Sequence, residues 1–130
     1  MIMRQIKFRA KTIANGHWVY GNLIKRSDDC VSILNSKSEP WVDPETVGQF
    51  TGLTDCNGKE IYEGDKVRFY DDIEDKQVTS HVIYHKESCS FCVAPTELCG
   101  DYIGLTVYWK FEVIGNIYDN SELINQPTEV

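Results

Sequence analysis

No stretch of this 130-residue chain approaches the ~18 consecutive apolar residues that a membrane-spanning helix needs. No apolar segment follows the basic residues Arg4, Lys7, Arg9 and Lys11, so a secretory leader is not expected. Without one, the odd set of five cysteines (Cys30, Cys56, Cys89, Cys92 and Cys99) is expected to be reduced thiols of a cytoplasmic protein, packed mostly as small hydrophobes. Positive charge is also scarce. Thirteen Lys and Arg face twenty Asp and Glu, a net charge of -7, which argues against a typical basic nucleic-acid domain. No amphipathic helical period, internal repeat or low-complexity tract appears, which excludes a bundle, a solenoid or a rod. Hydrophobic residues at 42% and aromatics at 12% supply a core and exclude a disordered chain. The length suits a single domain over residues 1–130.

Chemical signatures are missing too. There is no Gly-x-Ser-x-Gly elbow, His-Glu-x-x-His helix, phosphate loop or dinucleotide fingerprint. An enzyme is therefore not expected, and no catalytic, cofactor-binding or metal residue is assigned.

What is present is period-two alternation. Ile6, Phe8 and Ala10 share one face of a first strand, and Gln5, Lys7, Arg9 and Lys11 share the other. Asn15-Gly16 predicts a type I′ hairpin turn into a return strand over 17–24, with Trp18, Tyr20 and Ile24 opposite Val19 and Leu23. A short strand over 31–34 follows. Asp43-Pro44-Glu45 predicts a turn or one helical turn. Asp55-Cys56-Asn57-Gly58 predicts a second Asn-Gly hairpin, joining 50–53 to 60–62. Glu63-Gly64-Asp65 turns the chain again, and Val67 and Phe69 point inward from the next strand. Val78, Val82 and Tyr84 oppose Thr79, His81, Ile83 and His85, and Phe91 and Val93 mark a further strand. The longest alternation, 105–113, sets Leu105, Val107, Trp109, Phe111 and Val113 on one face. Gly115 predicts a bulge, Ile117-Tyr118 a continuing strand and 121–124 one helical turn. Many short strands with frequent turns predict an all-β fold. A small antiparallel β-barrel or roll is favoured, with at most a few helical turns, because closure disposes of strand edges.

Several groups are candidates for function. Residues 1–26 hold Arg4, Lys7, Arg9, Lys11, Lys25 and Arg26 and no acid. This could be a nucleic-acid arm, or a basic strand paired with acidic neighbours. Trp18, Tyr20, Trp41, Tyr62 and Tyr118 could stack bases or simply pack. His81-x3-His85-x3-Cys89-x2-Cys92 holds four zinc-ligand types. On a strand, however, the two histidines would lie about 13 Å apart, too far to share an ion. A redox role for Cys89 and Cys92 would need a helix N-terminus, which the pattern lacks. The run Asp71-Asp72-Ile73-Glu74-Asp75 reads as a solvated loop, without the spacing of a calcium loop.

Three segments resemble the YopX family of phage and prophage proteins. The first is Ile6-Lys7-Phe8-Arg9-Ala10 with Trp18-Val19-Tyr20-Gly21. The second runs from Val42-Asp43-Pro44-Glu45-Thr46-Val47-Gly48-Gln49-Phe50-Thr51-Gly52-Leu53 into the stretch 57–67. The third is Phe111-Glu112-Val113-Ile114-Gly115-Asn116-Ile117-Tyr118-Asp119-Asn120. The resemblance implies a β-barrel core of SH3-like character and a phage or prophage origin. It transfers no catalytic residue, and the three-cysteine stretch 81–99 matches none of its motifs. The expectation is a non-catalytic binding module inside a bacterial host cell, with a protein partner and no membrane. Self-association stays open. The alternative is a nucleic-acid accessory protein using the basic N-terminal strand, which the net charge disfavours.

Overall fold

Alternating apolar and polar residues form strands through most of the computed structural model, which describes residues 3–97, 100–106 and 110–119. The chain divides into two compact units, Met1–Gly52 and Leu53–Val130.

In the first unit, β1 (Phe8–Lys11), β2 (Trp18–Ser27), β3 (Cys30–Leu34), β4 (Trp41–Val42) and the start of β5 (Gly48–Thr54, whose Leu53 and Thr54 belong to the second unit) form an antiparallel sheet in the order β4-β3-β2-β1-β5. The register places Ala10 opposite Val19 and Leu23 opposite Ile33. Residues paired in this way share a face, so Ala10, Val31, Ile33 and Val42 meet in a core flanked by Phe8, Val19, Leu23 and Val47. Gly21 is required here, because a Cβ would lie 2.4 Å from the Leu34 carbonyl oxygen. The Asp-Pro-Glu segment forms a 3-10 turn over Pro44–Thr46, capped by the Asp43 carboxylate, which accepts from the Glu45 amide. The Asp43 amide donates to Lys11 O at 2.8 Å, and the Lys11 amide donates to Thr46 Oγ1 at 2.9 Å. The turn is thus fastened to β1.

In the second unit, β6 (Glu60–Tyr62) follows β5 in the first sheet's strand order. A second antiparallel sheet runs β10-β9-β8-β7-β11, with β7 (Asp65–Asp71), β8 (Lys76–His85), β9 (Ser90–Val93), β10 (Ile103–Gly104) and β11 (Glu112–Asn116). Ile61, Val67, Phe69, Val78, Val82, Val93 and Phe111 make its core. Burying each such side chain contributes roughly 1.5–3 kcal/mol. Phe69 and Phe111 meet edge to face at 5.0 Å. The Glu63-Gly64-Asp65 turn is a junction. Asp65 is 1% exposed and accepts from the Tyr62 amide, while Gly64 bonds to Val82 and Ile117.

The all-β expectation holds, but the barrel does not. Among the described residues the strands form two antiparallel sheets and no closed barrel. The physical reason is the shortness of β4, which reaches the end of β1 through a single bridge, Thr12 to Val42, rather than a ladder.

Neither Asn-Gly turn is type I′, because only Gly16 (φ +71°) and Gly58 (φ +84°) are left-handed and Asn15 and Asn57 are not. The first is a longer loop in which Thr12 bonds to His17 and the Asn15 side chain accepts from the His17 amide. In the second, the Gly58 amide donates to Asp55 O and the Asp55 amide to Lys59 O. This is a type I turn completed by a left-handed glycine.

The strand expected over 105–113 is interrupted. Lys110 adopts φ +50° and β11 starts only at Glu112. Residues 107–109 lie outside the described residues. Gly115 does mark a bulge, with the register shifting between Val113 and Gly115. Ile117 and Tyr118 lie in a turn instead of a strand, because the Asn116 side chain captures the amides of Tyr118 and Asp119. The helical turn expected over 121–124 lies outside the described residues.

Candidate functional site

The second unit carries a cleft of about 460 Å³, lined by Cys56, Arg68, Phe69, Tyr70, Asp72, Gln77, Lys110 and Glu112. Its floor follows from strand register. Arg68 pairs with Glu112 on β11 and Thr79 on β8, and Tyr70 pairs with Gln77. Val67 and Phe69 point to the core, so Arg68 and Tyr70 face outward. Tyr70 remains 43% exposed.

One wall is the hairpin tip. Asp55 builds it, being only 8% exposed and accepting three amides: Asn57 and Lys59 at 2.8 Å, and Val113 at 2.9 Å. Burial pushes the Asp55 carboxyl up, but the Val113, Lys59 and Asn57 amides and the Lys59 charge outweigh it and hold it below its ordinary value. The Cys56 amide donates to Phe111 O at 3.0 Å, which fixes Cys56 over the strand. Glu112 forms an ion pair with Arg68 and accepts from Asn57 Nδ2 at 3.4 Å. A smaller hollow of about 180 Å³ abuts the cleft at Cys56 and Lys110.

The acidic turn reaches the cleft through Asp72. Asp71 is buried, and its carboxylate accepts from the amides of Ile73 and Glu74. This leaves Asp72, Glu74 and Asp75 on the outside, all exposed. Among the described residues no cation lies within ion-pair distance of these three carboxylates. The cleft therefore combines an aromatic surface, an amide, a neutralised ion pair, a lysine and the Asp72 carboxylate.

The residues singled out from sequence fall elsewhere. The basic strand is not an open stripe. Arg9 is 6% exposed with its guanidinium 4.7 Å from the Trp18 ring centre; Lys11 lies 5.6 Å from the same ring, and Lys7 lies 5.0 Å from Phe50. Lys25 lies on the other face of β2 and pairs with Asp28, while Arg26 pairs with Glu39. Aromatic rings thus cover part of Arg9, Lys11 and Lys7. Of the five aromatics, Trp18, Tyr20 and Trp41 belong to the first unit, and Tyr62 and Tyr118 to the second. Tyr62 is 2% exposed, so it offers no face to a base.

The His-Cys series is dispersed. His81 and His85 stand on β8, roughly 13 Å apart at strand rise. His81 is half-buried, and burial and the Lys66 charge lower its pKa. His85 stacks on Tyr102 at 4.0 Å and bonds Ser88 Oγ at 2.8 Å. Cys89 sits in a left-handed turn residue (φ +53°), beside the Lys86 carbonyl. Cys92 is buried on β9, and burial pushes its thiol up. Among the described residues no three His, Cys, Asp or Glu side chains group as a metal site requires. No helix among them is long and apolar enough to cross a membrane. Cys99 lies outside the described residues.

The fold thus defines an all-β protein with an open cleft on one sheet. The chain belongs to the YopX family: the model of the family described as "YopX protein" matches residues 7–125. A search of curated proteins finds no match.

Proposed function

We propose that the chain is a non-catalytic protein-binding module of a phage or prophage, acting inside the bacterial cell, and that the Tyr70–Gln77 cleft is its binding surface. The observation that carries this reading is Tyr70, a large ring left 43% exposed on a strand, in a hollow of about 460 Å³. Ligand clefts span roughly 300–1,000 Å³ and pair an apolar surface with a few polar groups. Aromatic and arginine side chains are the usual anchors of protein interfaces. Arg68 and Glu112 satisfy each other, which suits recognition better than acid–base chemistry. The alternative, nucleic-acid binding through the basic strand, loses support from the burial of Arg9 and the ring contacts of Lys7 and Lys11.

The test is affinity capture from bacterial lysate with the wild-type chain and with Gln77→Trp, which fills the cleft from an exposed position. The proposal expects a partner whose recovery falls at least tenfold with the variant. Equal recovery by both proteins would reject the cleft as the binding surface.

A further inference from the structure

We propose that the occupant of this cleft is an extended segment of a partner protein carrying basic side chains, one of which lies across Tyr70 and reaches Asp72. The inference rests on the reading of the cleft as a protein-binding site and adds the chemistry of what it binds.

Three observations carry it. First, the acidic turn borders the cleft. The buried Asp71 accepts the turn's own amides, so Asp72, Glu74 and Asp75 project outward with no cation in ion-pair range among the described residues. Asp72 itself lines the cleft. Second, the exposed Tyr70 stands two residues before Asp72, with Gln77 opposite it on β8. A cationic side chain lying on the ring gains a cation–π contact on its stem side and an ion pair at its tip. Arginine, planar and weakly hydrated, fits that double contact better than lysine. Third, charge is unevenly divided along the chain. Leu53–Val130 holds six Lys and Arg against fifteen Asp and Glu, whereas Met1–Gly52 holds seven against five. The unit bearing the cleft therefore attracts a cationic partner before contact is made. Of the cleft's two cations, Arg68 is neutralised by Glu112. The carboxylates lining the cleft are Glu112, which is spent on Arg68, and Asp72, so the incoming basic side chain goes to Asp72.

The test is fluorescence anisotropy with the full chain and two labelled nonapeptides, one alternating Arg and Ser, the other Glu and Ser. The proposal expects the Arg-Ser peptide to bind, with the Glu-Ser peptide at least tenfold weaker. Asp72→Lys should weaken Arg-Ser binding at least fivefold and Tyr70→Leu about threefold. Glu87→Lys makes the same charge change in the turn at the far end of β8, and should alter binding by less than twofold. Thermal melts of each variant establish that the fold is retained. Equal losses from Asp72→Lys and Glu87→Lys would reduce the effect to bulk charge and overturn the proposal. Equal binding of both peptides, or none, would also overturn it. If neither peptide binds while lysate capture still depends on Gln77, the binding surface stands and only the basic occupant is wrong.

Discussion

Asp55→Ala is the most informative perturbation of the scaffold. The Asp55 carboxylate closes the Cys56–Gly58 turn through the Asn57 and Lys59 amides and holds β11 through the Val113 amide. Each hydrogen bond contributes about 1 kcal/mol net, and more for an ionised acceptor, so removing three costs about 3 kcal/mol. For a chain of this length that is a fall of about 10 °C in Tm. Asp55→Asn keeps an acceptor for the two turn amides but sets an amide donor against the Val113 N–H, and should cost about half as much. The dependence on pH has a defined sign. The folded carboxyl is held below its unfolded value, so its stabilisation is complete above the ordinary aspartate pKa and is lost as pH falls through the folded one. Urea titrations at neutral and acid pH test both points. Asp55→Ala should be less stable at neutrality and flatter with pH below the carboxylate range. A variant within about 0.5 kcal/mol of wild type would refute the assignment of Asp55 as the clamp between hairpin and strand.

Gly58→Val should cost roughly 1–2 kcal/mol through its left-handed backbone alone, since a Cβ there meets nothing within 4 Å; urea denaturation reads it directly. Asn57→Ala should cost under about 0.5 kcal/mol in the same assay, its one side-chain bond being long and exposed. Gly21→Ala should be more damaging than Gly58→Val, because the obstacle is the Leu34 backbone carbonyl, and its yield of folded protein should drop. His81 should titrate below the ordinary histidine range by NMR. Its folded pKa is depressed, so it destabilises the protein as pH falls through 6.5 and the unfolded chain protonates first; His81→Gln should remove that part of the acid sensitivity. Iodoacetamide should modify Cys30, Cys56 and Cys89 in the native protein and spare Cys92 until the chain unfolds, as mass spectrometry would show.

Alternation read correctly at several positions on strands with one buried face, although Tyr84, grouped with Val78 and Val82, is 46% exposed. Val67 and Phe69 on β7 and Val78 and Val82 on β8 are such positions, and Gly115 announced its bulge. The same rule overran at Lys110, where the pattern continues but a left-handed residue breaks the strand. β4 and β10 have two residues each, too few to show any period. The Asn-Gly pairs marked both hairpins, yet a dipeptide does not distinguish a type I′ turn from a type I turn followed by a left-handed glycine. Asp55, three residues before Gly58, carried that distinction as a side chain able to accept the turn's own amides. The cleft was not legible. Cys56, Tyr70, Gln77 and Lys110 come from separate segments, and only strand pairing brings them together. Arg9 is 6% exposed although it lies on the polar face of the first strand, because alternation says which side a residue takes, not what covers that side.

The most direct test of the central claim is site-specific photo-crosslinking in bacteria producing the protein. A benzophenone amino acid at Gln77, on the cleft floor, should give a discrete adduct with a partner protein, and peptide mapping should place the crosslink in a basic segment. The same probe at Lys37, in the loop after β3 of the first unit, should not give that adduct. Identical adducts from both positions, or none from Gln77, would contradict the cleft as the surface through which this protein acts.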